Sequence, residues 1–187
     1  MNTKLDIIHN LKEYMWKYAD ESVLVERCIH LLEKHEGTQM FYRDHFDDGH
    51  LTGSVLVVNP EKTKVLMMHH KKYGTWQQFG WHVDGEINIR NAAIRELEEE
   101  AGIKEQDIEL SNSIFSFDIH SVPSYQNEPE HYHYDISYLA IVDEDLEYIK
   151  QEAEVHDIQW FLISEVANQL WLGKFSSGFE TIFKKLS

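Results

Sequence analysis

Apolar residues recur along the first 36 positions at the spacing of a helix face. Ile7, Ile8, Leu11, Met15 and Tyr18 mark one stripe, and Leu24, Cys28, Leu31 and Leu32 mark a second. Asp20 or Ser22 is placed to cap the second helix and Gly37 to follow it. The spacing predicts an N-terminal helical extension over 1–37, packed on the main domain or on a second subunit. From Leu51 the texture changes. Segments 51–58 and 64–68 read as strands joined by an Asn59-Pro60 turn, and 73–79 as a short third strand. The loop 80–88 leads into a helix over 89–101, which Gly102 can terminate. Long β-type segments at 108–120 and 131–142 flank a polar loop, and 155–163 reads as a further strand. Ser164 can cap a helix running through Trp171, and a last helix spans roughly 177–186. Strands mixed with a few helices predict a layered α/β sandwich over 38–187.

Composition narrows the partners. The chain has 187 residues, 42% of them hydrophobic, enough for a core of one domain plus an extension. Its formal charge of -16 repels nucleic-acid backbones and anionic membranes, because affinity for both rests on Lys and Arg. A small phosphorylated substrate stays open to it where a cation screens the charges. Cys28 is the one cysteine, so neither an intrachain disulfide nor a Cys metal cluster can form, and the thiol reads as buried. The N-terminus shows no long apolar run, and none elsewhere reaches membrane-spanning length. The expected location is the cytoplasm.

The chemistry concentrates at 95–103. Glu96, Glu99 and Glu100 lie at i, i+3 and i+4, so their carboxylates share one helix face, while Ile89, Ala93, Leu97 and Ala101 suit packing on a sheet. Like charges so placed cost a helix roughly 0.2–0.5 kcal/mol per pair. Clustered carboxylate oxygens are also what magnesium or manganese requires, and either cation removes the repulsion. The competing reading is a solvated acidic face.

The flanking residues resemble the Nudix box, G-x5-E-x7-R-E-U-x-E-E-x-G-U with U aliphatic. Arg95, Glu96, Leu97, Glu99, Glu100, Gly102 and Ile103 match its second half without a gap. Counted back from Arg95, the first Gly slot holds Trp81 and the first Glu slot Ile87; alternatively Gly80 and Glu86 fill them with one extra residue before Arg95. The stretch 80–86 is similar to the Gly-Gly-His-Val-Asp-Gly loop of one branch of the family, with Trp81 at the second glycine. The resemblance covers about 52–161. It implies an α/β/α sandwich with a mixed sheet, and hydrolysis of a nucleoside diphosphate linked to another group. It also implies Mg2+ or Mn2+ held by Glu96, Glu99, Glu100 and the Gly80 carbonyl, with Arg95 orienting a carboxylate. Two or more cations can stabilise in-line displacement at phosphorus. Glu96 is the first choice of general base, and Asp143, Glu144, Asp145, Glu152 and Glu154 are loop alternatives.

Substrate contacts are expected from His69, Lys71 and Trp76 near the second strand, against the alternative of solvent-facing or core side chains. His131, His133 and Asp135 alternate on one strand face, near Asp118-x-His120. They can line the pocket beside the glutamates, bind a further transition metal, or serve as hydrogen-bonded sheet residues. Two rivals stand beside the hydrolase. One is a Nudix-fold sensing module that binds a nucleotide without cleaving it. The other is an isoprenoid diphosphate isomerase, which needs a pocket cysteine that Cys28 does not supply from the extension. The apolar faces of the N-terminal helices also suit a homodimer.

Overall fold

A computed structural model describes residues 3–169 and 178–186. Helix α1 (Lys4–Lys17) opens on a capping box: Thr3 Oγ1 accepts from the Asp6 N–H, and the Asp6 carboxylate accepts from the Thr3 N–H. Helix α2 (Ser22–Lys34) has neither Asp20 nor Ser22 as its cap, because a 3-10 turn at Ala19–Glu21 delivers the chain already helical and Ser22 is its first residue.

Strand β1 (His50–Val58) is the spine of an eight-stranded mixed sheet. Its later half pairs antiparallel with β2 (Lys64–His70) and its earlier half with β4 (Phe79–His82). The single strand expected over 73–79 is therefore split. Its first part, β3 (Trp76–Gln77), stays on β2, and the chain changes partner at Gln78. On its other edge β1 runs parallel to β7 (His131–Ile141), from His50 opposite His133 to Val58 opposite Ile141. Strand β7 carries β5 (Glu109–Leu110) and β6 (Ser116–Val122), and β2 carries β8 (Val155–Leu162). The continuous segment expected over 108–120 is broken because Leu110 pairs with Ala140 and Ser116 with Ser137. Six steps on one chain oppose three on the other, and the excess loops out.

Parity along β1 sorts the core. Leu51, Val55 and Val57 face helix α3 (Ile89–Ala101) and pack with its Ile89, Ala93 and Leu97. Leu11, Val25, Cys28 and Leu32 of the extension join that same core. Leu56 and Val58 face the opposite side with Val65, Met67, Val166 and Phe179. There α4 (Ile163–Gln169) and α5 (Phe179–Lys184) form the other layer, completing an α/β/α sandwich. Ser164 lies inside α4 rather than capping it, while Trp171 and Ser177, the ends expected for the last two helices, fall outside the described residues. Tyr14 locks the layers together. Its hydroxyl donates to Glu21 and accepts from the Phe117 N–H of β6, and Glu21 pairs with buried Lys185 at 2.7 Å. Among the described residues no helix is long and apolar enough to cross a membrane.

Candidate active site

Helix α3 begins at its expected residue because Asn88 caps it, the side chain accepting from the Asn91 N–H. It ends where expected because Gly102 adopts a left-handed φ of 69° and returns its N–H to the Glu98 carbonyl. Between these stops the apolar stripe rests on the sheet, and the carboxylates of Glu96 and Glu100, one turn apart, are carried to its flank. They are 9% and 4% exposed, whereas Glu99 is open to solvent.

Two contacts bind the preceding loop to this flank. Glu100 Oε2 accepts from the Gly80 N–H at 2.8 Å. Arg95 reaches the Glu96 carboxylate at 2.6 Å, Glu99 at 3.4 Å and the His82 carbonyl at 3.1 Å. Gly80 has φ +114°, and a Cβ there would sit 2.5 Å from Ser54 Cα and closer still to the Gly53 carbonyl oxygen. Glycine is obligatory at 80, one residue before the position reached by counting back from Arg95. Glu86 spends its carboxylate on the Asn88 N–H, and Ile87 packs on the core.

Burial pushes the Glu100 carboxyl up to about 8, against the Gly80 N–H and with help from Glu96 and Glu154. Burial also raises Glu96, against the pull of Arg95. The Gly80 N–H is the chief group that favours the ionised form of Glu100. The donor set fits a hard divalent cation: oxygen ligands only, crowded, and partly withdrawn from water without full neutralisation. Of the loop acids, Glu154 is the one whose charge bears on Glu100; Glu144 is tied to Lys64 and Asn59.

Gly80 also borders a cavity of about 570 Å3 on the far side of the sheet. Thr52 and Ser54, the polar positions in the parity of Leu56 and Val58, form its floor with Asp135. Asp135 is buried and accepts from Thr52 Oγ1 (2.8 Å), Ser54 Oγ (2.6 Å) and Gln78 Nε2 (3.0 Å). Its pKa is raised by burial against those donors. Gln78 Oε1 and Ser137 Oγ have no partner on this floor. His120, held by Asp118 at 3.1 Å, stands at the wall; burial lowers its pKa, but Asp118 and Asp135 more than reverse that. Apolar walls come from Trp81, Phe117 and Phe179, and Leu24 of α2 brings the extension into the lining.

Of the expected substrate contacts, His120, His133 and Asp135 line this cavity. His69 and Trp76 meet edge to face outside it, Trp76 also packing on Phe161, and Lys71 is exposed and donates to the Glu152 carbonyl. Thr52, Ser54 and Gln78 were not singled out in the sequence. The two hydroxyls were visible there as polar breaks in an apolar strand. His50 and His82 were also missed, and burial lowers the pKa of both, as it does for His133.

The NUDIX domain model matches residues 49–179. Among curated proteins no relative matches. Solved structures share the fold at low identity. A C. elegans Ap4A hydrolase binary complex is 14% identical, covers 73% of this chain and 93% of its own, and superposes with a TM-score of 0.56. The E. coli dihydroneopterin triphosphate pyrophosphohydrolase is 15% identical, with coverage of 72% and 92% and a TM-score of 0.57. A NUDIX-family hydrolase from Clostridium perfringens is 23% identical, with coverage of 73% and 95% and a TM-score of 0.53. The chain belongs to the NUDIX domain family.

Proposed function

We propose that the protein is a metal-dependent cytoplasmic hydrolase that cleaves the diphosphate linkage of a small substrate, a nucleoside diphosphate joined to a second group. The observation that carries this reading is the Gly80 backbone. Its N–H is held by the buried Glu100 carboxylate, while the same residue borders the cavity. A substrate seated over the sheet thus has its diphosphate at the edge where the carboxylates stand.

Glu96, Glu99, Glu100 and the Gly80 carbonyl would hold Mg2+ or Mn2+, which supplies charge neutralisation at phosphorus and activation of water. Arg95 fixes the Glu96 carboxylate and, through the His82 carbonyl, the loop before the helix. Glu96, raised by burial against the pull of that guanidinium, would take a proton. On the cavity side Asp135, Gln78 and Ser137 offer acceptors and donors to a polar heterocycle, and Trp81 gives an aromatic wall. This arrangement suits a nucleobase better than an aliphatic chain.

The test is product release from a panel of dinucleoside polyphosphates, nucleotide sugars, ADP-ribose and nucleoside triphosphates, with and without Mg2+ or Mn2+. Cation-dependent turnover of one class, lost in Glu100→Gln, is the expected result. Binding of a nucleotide with no turnover across the panel would replace the hydrolase by a sensing module.

A further inference from the structure

Strand register brings three histidines together beside the cavity and away from the glutamates. His50 opens β1 and lies directly opposite His133 on β7; His82 ends β4 opposite Thr52, two residues along β1 on the same face. Their ring centroids are 4.6, 5.1 and 5.4 Å apart, and one ring nitrogen from each lies within 4.8 Å of the others. The residues are 1%, 9% and 1% exposed, and His50 Nε2, His82 Nδ1 and His133 Nδ1 are buried without any hydrogen-bond partner.

We infer that His50, His82 and His133 form a binding site for one divalent transition-metal ion of zinc-like character, separate from the glutamate centre.

The hydrogen bonds around the rings support this. His50 Nδ1 faces the His45 carbonyl at 3.4 Å, which can only accept, so Nδ1 carries the proton and Nε2 a lone pair. His131 Nδ1 faces the Pro129 carbonyl at 2.7 Å and is likewise protonated, leaving its Nε2 as an acceptor. That nitrogen is 3.2 Å from His133 Nε2, which must then be the donor, so His133 Nδ1 also bears a lone pair. Backbone carbonyls thus set the tautomers as outer partners do for metal-ligating histidines, in one case through an intervening ring.

Buried lone pairs without donors are unfavourable, and a shared cation satisfies them. Imidazole selects zinc-like ions over magnesium or calcium, which prefer oxygen. Zinc–nitrogen bonds of about 2.0–2.1 Å put tetrahedral ligands roughly 3.4 Å apart, so from a 4.8 Å limit the nitrogens close by up to about 1.4 Å, which ring rotation can supply. Arg43, whose charge bears on both His50 and His82, is paired with Asp84. Among the described residues a second such group, His35, His45 and Asp48, is less suited, because Asp48 is already held by Lys34.

The test uses the full chain stripped with chelator and carrying Glu96→Gln, Glu99→Gln and Glu100→Gln together, so that the glutamates cannot bind. Zinc ion is titrated by calorimetry, and Co2+ substitution reads coordination through its visible absorption. One ion per chain with a tetrahedral nitrogen-type Co2+ spectrum is expected. His50→Ala or His133→Ala should weaken binding at least ~100-fold, and the positioning variant His131→Ala about 10–100-fold. Circular dichroism verifies folding, and the milder His82→Asn serves should either alanine variant unfold. No zinc bound by the triple variant would overturn the site and leave a buried water as the cluster's occupant. Binding that survives the histidine substitutions, or that follows His35→Ala instead, would overturn it as well.

Discussion

Glu100→Gln should abolish turnover and yet stabilise the metal-free protein. The carboxyl is pushed from its ordinary 4.5 up to about 8, chiefly by burial. The folded state therefore binds a proton that the unfolded state releases, and stability falls as pH rises between those two values, by about 1.4 kcal/mol per pH unit. Below 4.5 both states are protonated and there is no penalty; above 8 both are ionised and the penalty is constant. At pH 7 the penalty amounts to about 3 kcal/mol. Glutamine carries no charge, and its Oε1 can still accept from the Gly80 N–H, so the variant lacks this slope. Glu96 is raised too, but it remains in both proteins and largely cancels in the comparison.

At about 2–4 °C per kcal/mol for a chain of this size, the variant should melt about 6–12 °C above the parent at pH 7 in chelator. The two melting curves should converge near pH 4.5. Added Mg2+ should raise the parent's Tm and leave the variant's almost unmoved, because binding stabilises only the state that has the site. The assay is thermal unfolding followed by circular dichroism from pH 4.5 to 8.5, with and without cation. A variant less stable than the parent at pH 7 in chelator would refute the reasoning. So would a Tm difference that is the same at both ends of the pH range, since the cause would then not be a buried charge.

Three further outcomes follow from the geometry. Gly80→Ala forces a Cβ into the β1 backbone at a left-handed φ, and should cost about 3 kcal/mol or more, read as a lower urea midpoint. Asp135→Asn keeps the floor's shape but puts an amide NH2 where one of the two accepting oxygens stood; KM for the active substrate should rise about 10–100-fold while far-ultraviolet circular dichroism stays unchanged. Tyr14→Phe removes the acceptor of the Phe117 N–H and one partner of the buried Glu21–Lys185 pair. It should cost about 1–3 kcal/mol by chemical denaturation, without changing the affinity of the glutamate site for Mn2+.

What could be read from the sequence follows the range of the forces involved. Helix α3 was readable to the residue because its stripe, its Asn88 cap and its Gly102 stop are all local. Its carboxylate face was readable for the same reason, since i, i+3, i+4 spacing decides which side chains share a face. Strand breaks at Gln78 and before Ser116 were not readable, because each arises where the chain changes or slips against a partner distant in sequence. The choice between Gly80 and Trp81 shows the same limit from the other direction. Counting positions treats the loop as a fixed spacer, whereas the structure chooses by whether a Cβ fits beside Gly53 and Ser54, some 25 positions earlier. The cavity floor sits between these cases. Thr52 and Ser54 betray themselves as polar residues in one parity of an apolar strand, but Asp135 and Gln78 meet them only through the parallel β1–β7 pairing and the hand-over from β3 to β4. His50, His82 and His133 are the extreme instance. They are 83 positions apart at most, each unremarkable alone, and only the register of three strands makes their ring nitrogens neighbours.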